Sequence, residues 1–126
     1  MPIVTITVQG KKSKEFKKKA FDAVHGALVN IGVNQKDRFL RLLELEESSF
    51  QFDPTFPDAA TPRTSDFMLI EILLGAGRSV KIKRQLVQSI AERLCAAGFD
   101  PEHAMVCLQD VAWENWAPAG GRMPHA

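Results

Sequence analysis

The sequence is poor in the features that mark several large protein classes. It has two cysteines in 126 residues, Cys95 and Cys107. Both lie in apolar patterns without metal-ligand spacing, which reads as buried, reduced thiols of a cytoplasmic protein, with no metal or other cofactor expected. No apolar run approaches the roughly 20 residues that span a bilayer, so no membrane partner is expected. Net charge is only +1, too small for a global field that would gather nucleic acid. The start, MPIVTITVQG, lacks a basic stretch followed by an apolar core. It is read as part of the mature fold rather than as a signal peptide. What remains is the balance of a globular domain, 45% hydrophobic and 25% charged.

The chain repeats itself at a shift of 66 residues, the distance from Ser13 to Ser79. Ile3, Val4, Ile6 and Val8 fall on Leu69, Ile70, Ile72 and Leu74. Phe16, Ala20, Val24 and Leu28 fall on Ile82, Leu86, Ile90 and Leu94, and Gly32 falls on Gly98. Residues 3–8 and 67–74 are short β-branched and apolar runs suited to buried strands. Ser13 and Ser79 can cap helices. The spacing 16, 20, 24, 28 forms a helical stripe, and Gly32 and Gly98 can stop each helix in the left-handed conformation. Second strands are expected at about 38–46 and 104–111. Each half then reads as strand–helix–strand with a right-handed crossover and parallel strands.

These units predict an α+β fold: a duplicated β-α-β arrangement with a four-stranded sheet and two helices on one face. One domain is expected over 1–126, with repeats at about 2–46 and 67–111, a long connection at 47–66 and an irregular tail at 112–126. Residues 49–53 (SFQFD) are read as a short edge strand. The strands are apolar on successive residues, so the second sheet face also needs cover. Self-association is the economical source of it, and a homotrimer is expected.

Few residues are placed for chemistry. Trimming of Met1 would leave Pro2 with a secondary amine at the head of a buried strand. An α-amino group titrates near 7.7–8.0, and burial or neighbouring cations favour its neutral, basic form. The plain alternative is that Pro2 only begins a strand. GAGRS, residues 75–79, joins a strand end to a helix start, where free amides bind anions and a cation is unfavourable without one. Arg78 is therefore a candidate carboxylate ligand, or else a solvated arginine in a turn. Lys12 stands at the matching position of the first half. Asp37, in NQKDRF, can cap, pair with Arg38, or act as acid or base. His25 reads as a packed helix residue. The lysines from Lys11 to Lys19 read as a solvated helix face. Glu15 interrupts them, and no aromatic platform accompanies them.

Taken together, MPIVTITVQG, KKS and GAGRS before the helices, KDRF before the second strand, and ENW followed by GG resemble the tautomerase superfamily over nearly the whole chain. The length and the segment DAVHGALV are similar to its malonate semialdehyde decarboxylase-like group. The resemblance implies a trimer of duplicated β-α-β chains with the 4-oxalocrotonate tautomerase fold. It implies a cofactor-independent enzyme acting on a small carboxylate substrate, with Pro2 as catalyst and Asp37 activating water. It also implies a carboxylate-binding arginine at Arg78 and an apolar wall at Trp116, which with Phe39 would exclude water. The family's first carboxylate-binding arginine falls on Ala76, which favours keto–enol tautomerisation of a 2-keto acid, with Pro2 as general base, over decarboxylation; a hydratase or decarboxylase side activity stays open. Two other readings stay open: a non-catalytic trimeric member of the fold and a ferredoxin-like binding module. If the reading is right, Pro2, Asp37 and Arg78 share one pocket.

Overall fold

A computed structural model describes residues 1–125. Six main elements run in the order β1 (Pro2–Gln9), α1 (Lys14–Asn30), β2 (Leu40–Leu45), β3 (Met68–Gly75), α2 (Val80–Ala96) and β4 (Ala104–Val111). Both helices start where serine can accept a hydrogen bond from an otherwise unpaired amide. Ser13 Oγ accepts from the Phe16 amide at 3.0 Å and Ser79 Oγ from the Ile82 amide at 3.2 Å. Both stop at a glycine with positive φ, +103° at Gly32 and +94° at Gly98, a conformation that other residues adopt at a cost. Ser13→Ala is expected to cost about 1 kcal/mol of folding stability, read as a lower urea midpoint with an unchanged slope.

The sheet order is β2-β1-β3-β4. β1 runs parallel to β2, and β3 runs parallel to β4. The two repeats meet along the antiparallel pair β1–β3, in which Pro2 faces Leu74 and Val4 faces Ile72. In each repeat the crossover helix thus joins adjacent strands. A ferredoxin-like module splits such pairs, so that reading is excluded.

Alternation along the strands sends Val4, Ile6, Val8, Ile70, Ile72 and Leu74 toward the helices. They pack there against Ala20, Val24, Leu28, Leu86, Ile90 and Leu94, all essentially inaccessible. Complete removal of these branched side chains from water is the main stabilising term, each contributing about 1.5–3 kcal/mol.

The opposite sheet face carries no helix. Ile3, Leu43 and Met105 stand partly exposed on it. A polar row crosses its middle, with Arg41 beside Thr5, Thr5 beside Glu71 and Glu71 beside Cys107. The Arg41 Nε donates to Thr5 Oγ1 at 2.9 Å.

Two expectations need correction. Residues 49–53 form no strand. Glu47–Ser49 make a 3₁₀ turn, and the rings of Phe50 and Phe52 pack with Phe67, with centroids 4.6–6.0 Å apart. The F-Q-F alternation places both rings on one side, and an aromatic cluster uses them instead of a ladder. The cysteines are exposed rather than buried. Cys95 follows the core residue Leu94 and is rotated about 100° from it around α2. Cys107 lies on the bare sheet face.

Candidate active site

The pairing pattern gathers distant segments at one end of the sheet. Because β1 and β3 are antiparallel, the start of β1 lies beside the end of β3. Parallel pairing adds the start of β2 and the end of β4. The segments that carry Pro2, Phe39, Arg78 and Trp116 therefore converge there.

Pro2 is buried at the head of β1. Met1 precedes it, and the Met1 amino group lies 3.3 Å from Asp37 Oδ2. Only the Met1 Cα and carbonyl carbon separate that nitrogen from the Pro2 nitrogen, so Asp37 lies within a residue's length of Pro2. Asp37 sits in a turn, its amide donating to the Asn34 carbonyl at 2.9 Å. Its Oδ1 is buried without a hydrogen bond, an orphaned acceptor of the kind that functional sites retain. Asp37 does not pair with Arg38. That guanidinium donates to Asp22 at 2.7 Å instead, and Lys18 together with Arg38 holds the Asp22 carboxyl below its ordinary range.

Arg78 follows β3 and is half-buried. Its Nη1 donates to the Gly75 carbonyl at 3.1 Å. The Gly75 amide in turn donates to the Met1 carbonyl at 3.2 Å. Gly75 thus links the arginine to the head of β1.

The matching position in the first repeat behaves differently. Lys12 Nζ donates to the Ser65 carbonyl at 2.7 Å and pairs with Asp66 at 3.1 Å. Its backbone amide donates to Glu44 at 2.6 Å. That hydrogen bond, with Lys17 beside it, holds the Glu44 carboxyl below its ordinary range. The cation before α1 is thus matched by the chain's own carboxylates. The hydrogen bond recorded for the Arg78 side chain goes to a neutral carbonyl.

The aromatic expectations divide. Phe39 is 56% exposed at the start of β2, and its carbonyl accepts from the Val4 amide at 2.9 Å. Trp116 is buried, at 7% exposure, with its indole N–H donating to the Val111 carbonyl at 3.3 Å. It packs the tail and presents little surface for a ligand. Sequence reasoning passed over Trp113. Its indole N–H donates to the Ala76 carbonyl at 2.8 Å, and its ring covers Gly75. The signal available was a bulky ring 38 positions after a glycine at a strand end (113 − 75), which gains meaning only with the β3–β4 register.

A cavity of about 1220 Å³ lies at the far end of β1, among Gln9, Phe50, Phe52, Asp53 and Arg63. At the Pro2 end the exposed Phe39 and Ile3 leave one side open. His25 is packed, as expected, with Nε2 2.8 Å from the Gln35 carbonyl. The lysine face of α1 is laced with ion pairs to Glu15, Asp22 and Glu44. Among the described residues no group of three or more His, Cys, Asp or Glu is arranged to hold a metal ion. Among them, too, no helix is long and apolar enough to cross a membrane.

A duplicated β-α-β chain with a four-stranded mixed sheet and both helices on one face is the architecture of the tautomerase superfamily. The model of the Tautomerase_2 family, described as a tautomerase enzyme, matches residues 37–118. The chain belongs to this family, which makes it a tautomerase-type protein. The probable tautomerase YusQ of Bacillus subtilis (strain 168) is 27% identical over 124 residues, covering 97% of this chain and 96% of that relative. Among solved structures, the fold is similar to FG41 malonate semialdehyde decarboxylase inhibited by 3-bromopropiolate, with a TM-score of 0.86 at 23% identity over 96% of this chain and 92% of that one. It is also similar to a symmetric trimer of fused 4-OT, with a TM-score of 0.75 at 20% identity over 96% and 94%.

Proposed function

We propose that this chain, once Met1 is removed, is a cofactor-independent keto–enol tautomerase of small 2-keto acids in the cytoplasm, with the Pro2 nitrogen as general base. The observation that carries the reading is that Asp37 and Gly75 both meet Met1, the residue just before Pro2, while Arg78 is bonded to Gly75. Loss of Met1 removes the partner of Asp37 Oδ2 and the acceptor of the Gly75 amide. Both groups would then face the Pro2 nitrogen.

The chemistry follows from these groups. The neutral Pro2 nitrogen takes the enol hydroxyl proton or a proton α to the carbonyl, and returns it at the other position. Arg78 holds the substrate carboxylate through charge-assisted hydrogen bonds and steadies the enolate that develops. Arg78 favours the neutral amine and Asp37 the cationic one, so the two charges set its basicity in opposite directions. Asp37 also supplies the water-activating group that a hydratase or decarboxylase side activity would use. Ala76, where the resemblance would put the first of two arginines, favours tautomerisation as the main reaction. Phe39 supplies apolar surface at the mouth. Trp116, buried as it is, would act through packing.

The bare sheet face and the open side of the site support a homotrimer, in which a neighbouring chain would cover both. The likeness to fused 4-OT trimers is in keeping with this. Sedimentation at micromolar protein is expected to give about three times the 14.0 kDa chain mass. A stable monomer would refute the assembly.

The functional test joins mass spectrometry to an assay. Protein of the mass expected without Met1 should accelerate ketonisation of phenylenolpyruvate, and an electrophilic acetylenic acid such as 3-bromopropiolate should attach to the Pro2 peptide. If Met1 is fully retained, the Pro2 nitrogen is an amide without a basic lone pair. The non-catalytic reading then prevails.

A further inference from the structure

We propose that Trp113 is a positioning residue that clamps the Gly75–Ala76 peptide, and through it sets Arg78 against the amino terminus. The proposal rests on the functional reading above and adds a residue to it.

Three bonds meet at these two residues while Met1 is present, and the two made by side chains remain without it. The Trp113 indole N–H donates to the Ala76 carbonyl at 2.8 Å. The Gly75 carbonyl accepts from Arg78 Nη1 at 3.1 Å, and the Gly75 amide points to the Met1 carbonyl at 3.2 Å. The ring lies so close over Gly75 that a Cβ placed there would overlap it. Gly75 has no positive φ to explain its identity. Close approach of the indole is the physical reason for a glycine at that position. The clamp holds the strand end from the face and from the carbonyl edge together.

The internal repeat provides a comparison within the same molecule. Shifted by 66 residues, Ala76 corresponds to Gly10, Gly75 to Gln9 and Trp113 to Glu47. The backbone hydrogen bonding is alike in both places, although Gly10 takes a positive φ of +76° that Ala76 does not. Ala76 donates to the Val111 carbonyl at 2.9 Å, and Gly10 donates to the Leu45 carbonyl at 2.8 Å. Both copies also have a 3₁₀ turn at the matching place, Trp113–Asn115 and Glu47–Ser49. The side chains differ as well. Gln9 reaches away to the Phe50 carbonyl at 3.0 Å, and no indole covers it. The fold itself therefore does not require a clamp at this point. It occurs at the end that carries Pro2 and Arg78 and is missing at the end whose cation is already paired with Asp66.

The test compares Trp113→Phe, which keeps a ring over Gly75 but loses the N–H, with Trp113→Ala, which loses both. Ser13→Ala serves as a destabilised control remote from the site. Loss of one hydrogen bond of ordinary net strength corresponds to about a 5-fold effect. Trp113→Phe is expected to raise KM for phenylenolpyruvate about 5-fold with a smaller change in kcat. Trp113→Ala should raise KM further and displace the acid limb of the pH–rate profile, while Ser13→Ala should do neither. Wild-type KM and pH profile in both Trp113 variants, with Pro2→Ala inactive, would overturn the proposal. If Pro2→Ala is as active as wild type, the functional reading itself has failed. Amide hydrogen exchange then decides the clamp alone. Faster exchange at Gly75 and Ala76 in Trp113→Phe supports it, and unchanged exchange overturns it.

Discussion

Pro2→Ala is expected to lower kcat/KM for phenylenolpyruvate by about 100- to 10,000-fold, the range that a positioned general base supplies. Alanine at position 2 still permits removal of Met1 and leaves a free amine, so the fold and the charge at the chain start are kept. What is lost is the secondary amine, held by its ring at the head of β1 beside Asp37. The primary amine that replaces it rotates freely and spends little time aimed at the substrate. Residual activity is therefore expected, because the carboxylate ligand proposed above, Arg78, is untouched by the substitution. Intact-protein mass spectrometry must show Met1 absent from both proteins. Equal rates under that condition would remove Pro2 from the mechanism.

Arg78→Ala is expected to raise KM by about 10- to 150-fold. The figure follows from about 1.5–3 kcal/mol for a hydrogen bond to a charged group, at 1.4 kcal/mol per tenfold change. Arg78→Lys should recover part of this, because an ammonium keeps the charge but not the two-pronged geometry. The sign of the pH effect follows from the neighbouring charge. A cation near the Pro2 amine favours its neutral form, so removing the cation raises the amine's pKa. The base is active when neutral, and the acid limb of kcat/KM therefore moves to higher pH. Lys12→Ala is the matched control. Its ammonium serves Asp66 and the Ser65 carbonyl, and its loss should leave KM and the pH profile as they were. A normal KM for Arg78→Ala would rule out carboxylate binding by this residue.

The contrast between Lys12 and Arg78 shows how far the sequence could be read. Both stand one residue before a capping serine, and local chemistry makes both equally good anion sites. Nothing near Lys12 in sequence announces that Asp66 and Glu44 will reach it. Those contacts span more than thirty residues, and only the folded chain creates them.

The fate of the two cysteines makes the same point. Cys95 lies next to Leu94 in an apolar stretch, yet one step along a helix turns a side chain from core to solvent. Cys107 occupies a regular strand position on a face that no element of the chain covers. Residues 49–53 alternate like a strand, but the Phe50 and Phe52 rings found Phe67 before they found a ladder. Burial and pairing depend on what lies opposite, and period alone does not say.

By itself the sequence determined the parts that depend on local chemistry and period. Serine caps and stopping glycines bounded the helices. Runs of branched residues marked the strands, and the 66-residue repeat announced two like units. Those features arise within a few residues of chain, so they can be read along it. Tertiary structure decided how the units combine. The antiparallel β1–β3 register brought the start of the chain against Gly75, and the Asn34 turn brought Asp37 to within 3.3 Å of the first nitrogen. The β3–β4 register carried Trp113 onto Gly75 and turned Trp116 into the interior. These are contacts between residues far apart in sequence. Their geometry is set by strand register and by the packing of the whole sheet, neither of which any single segment encodes.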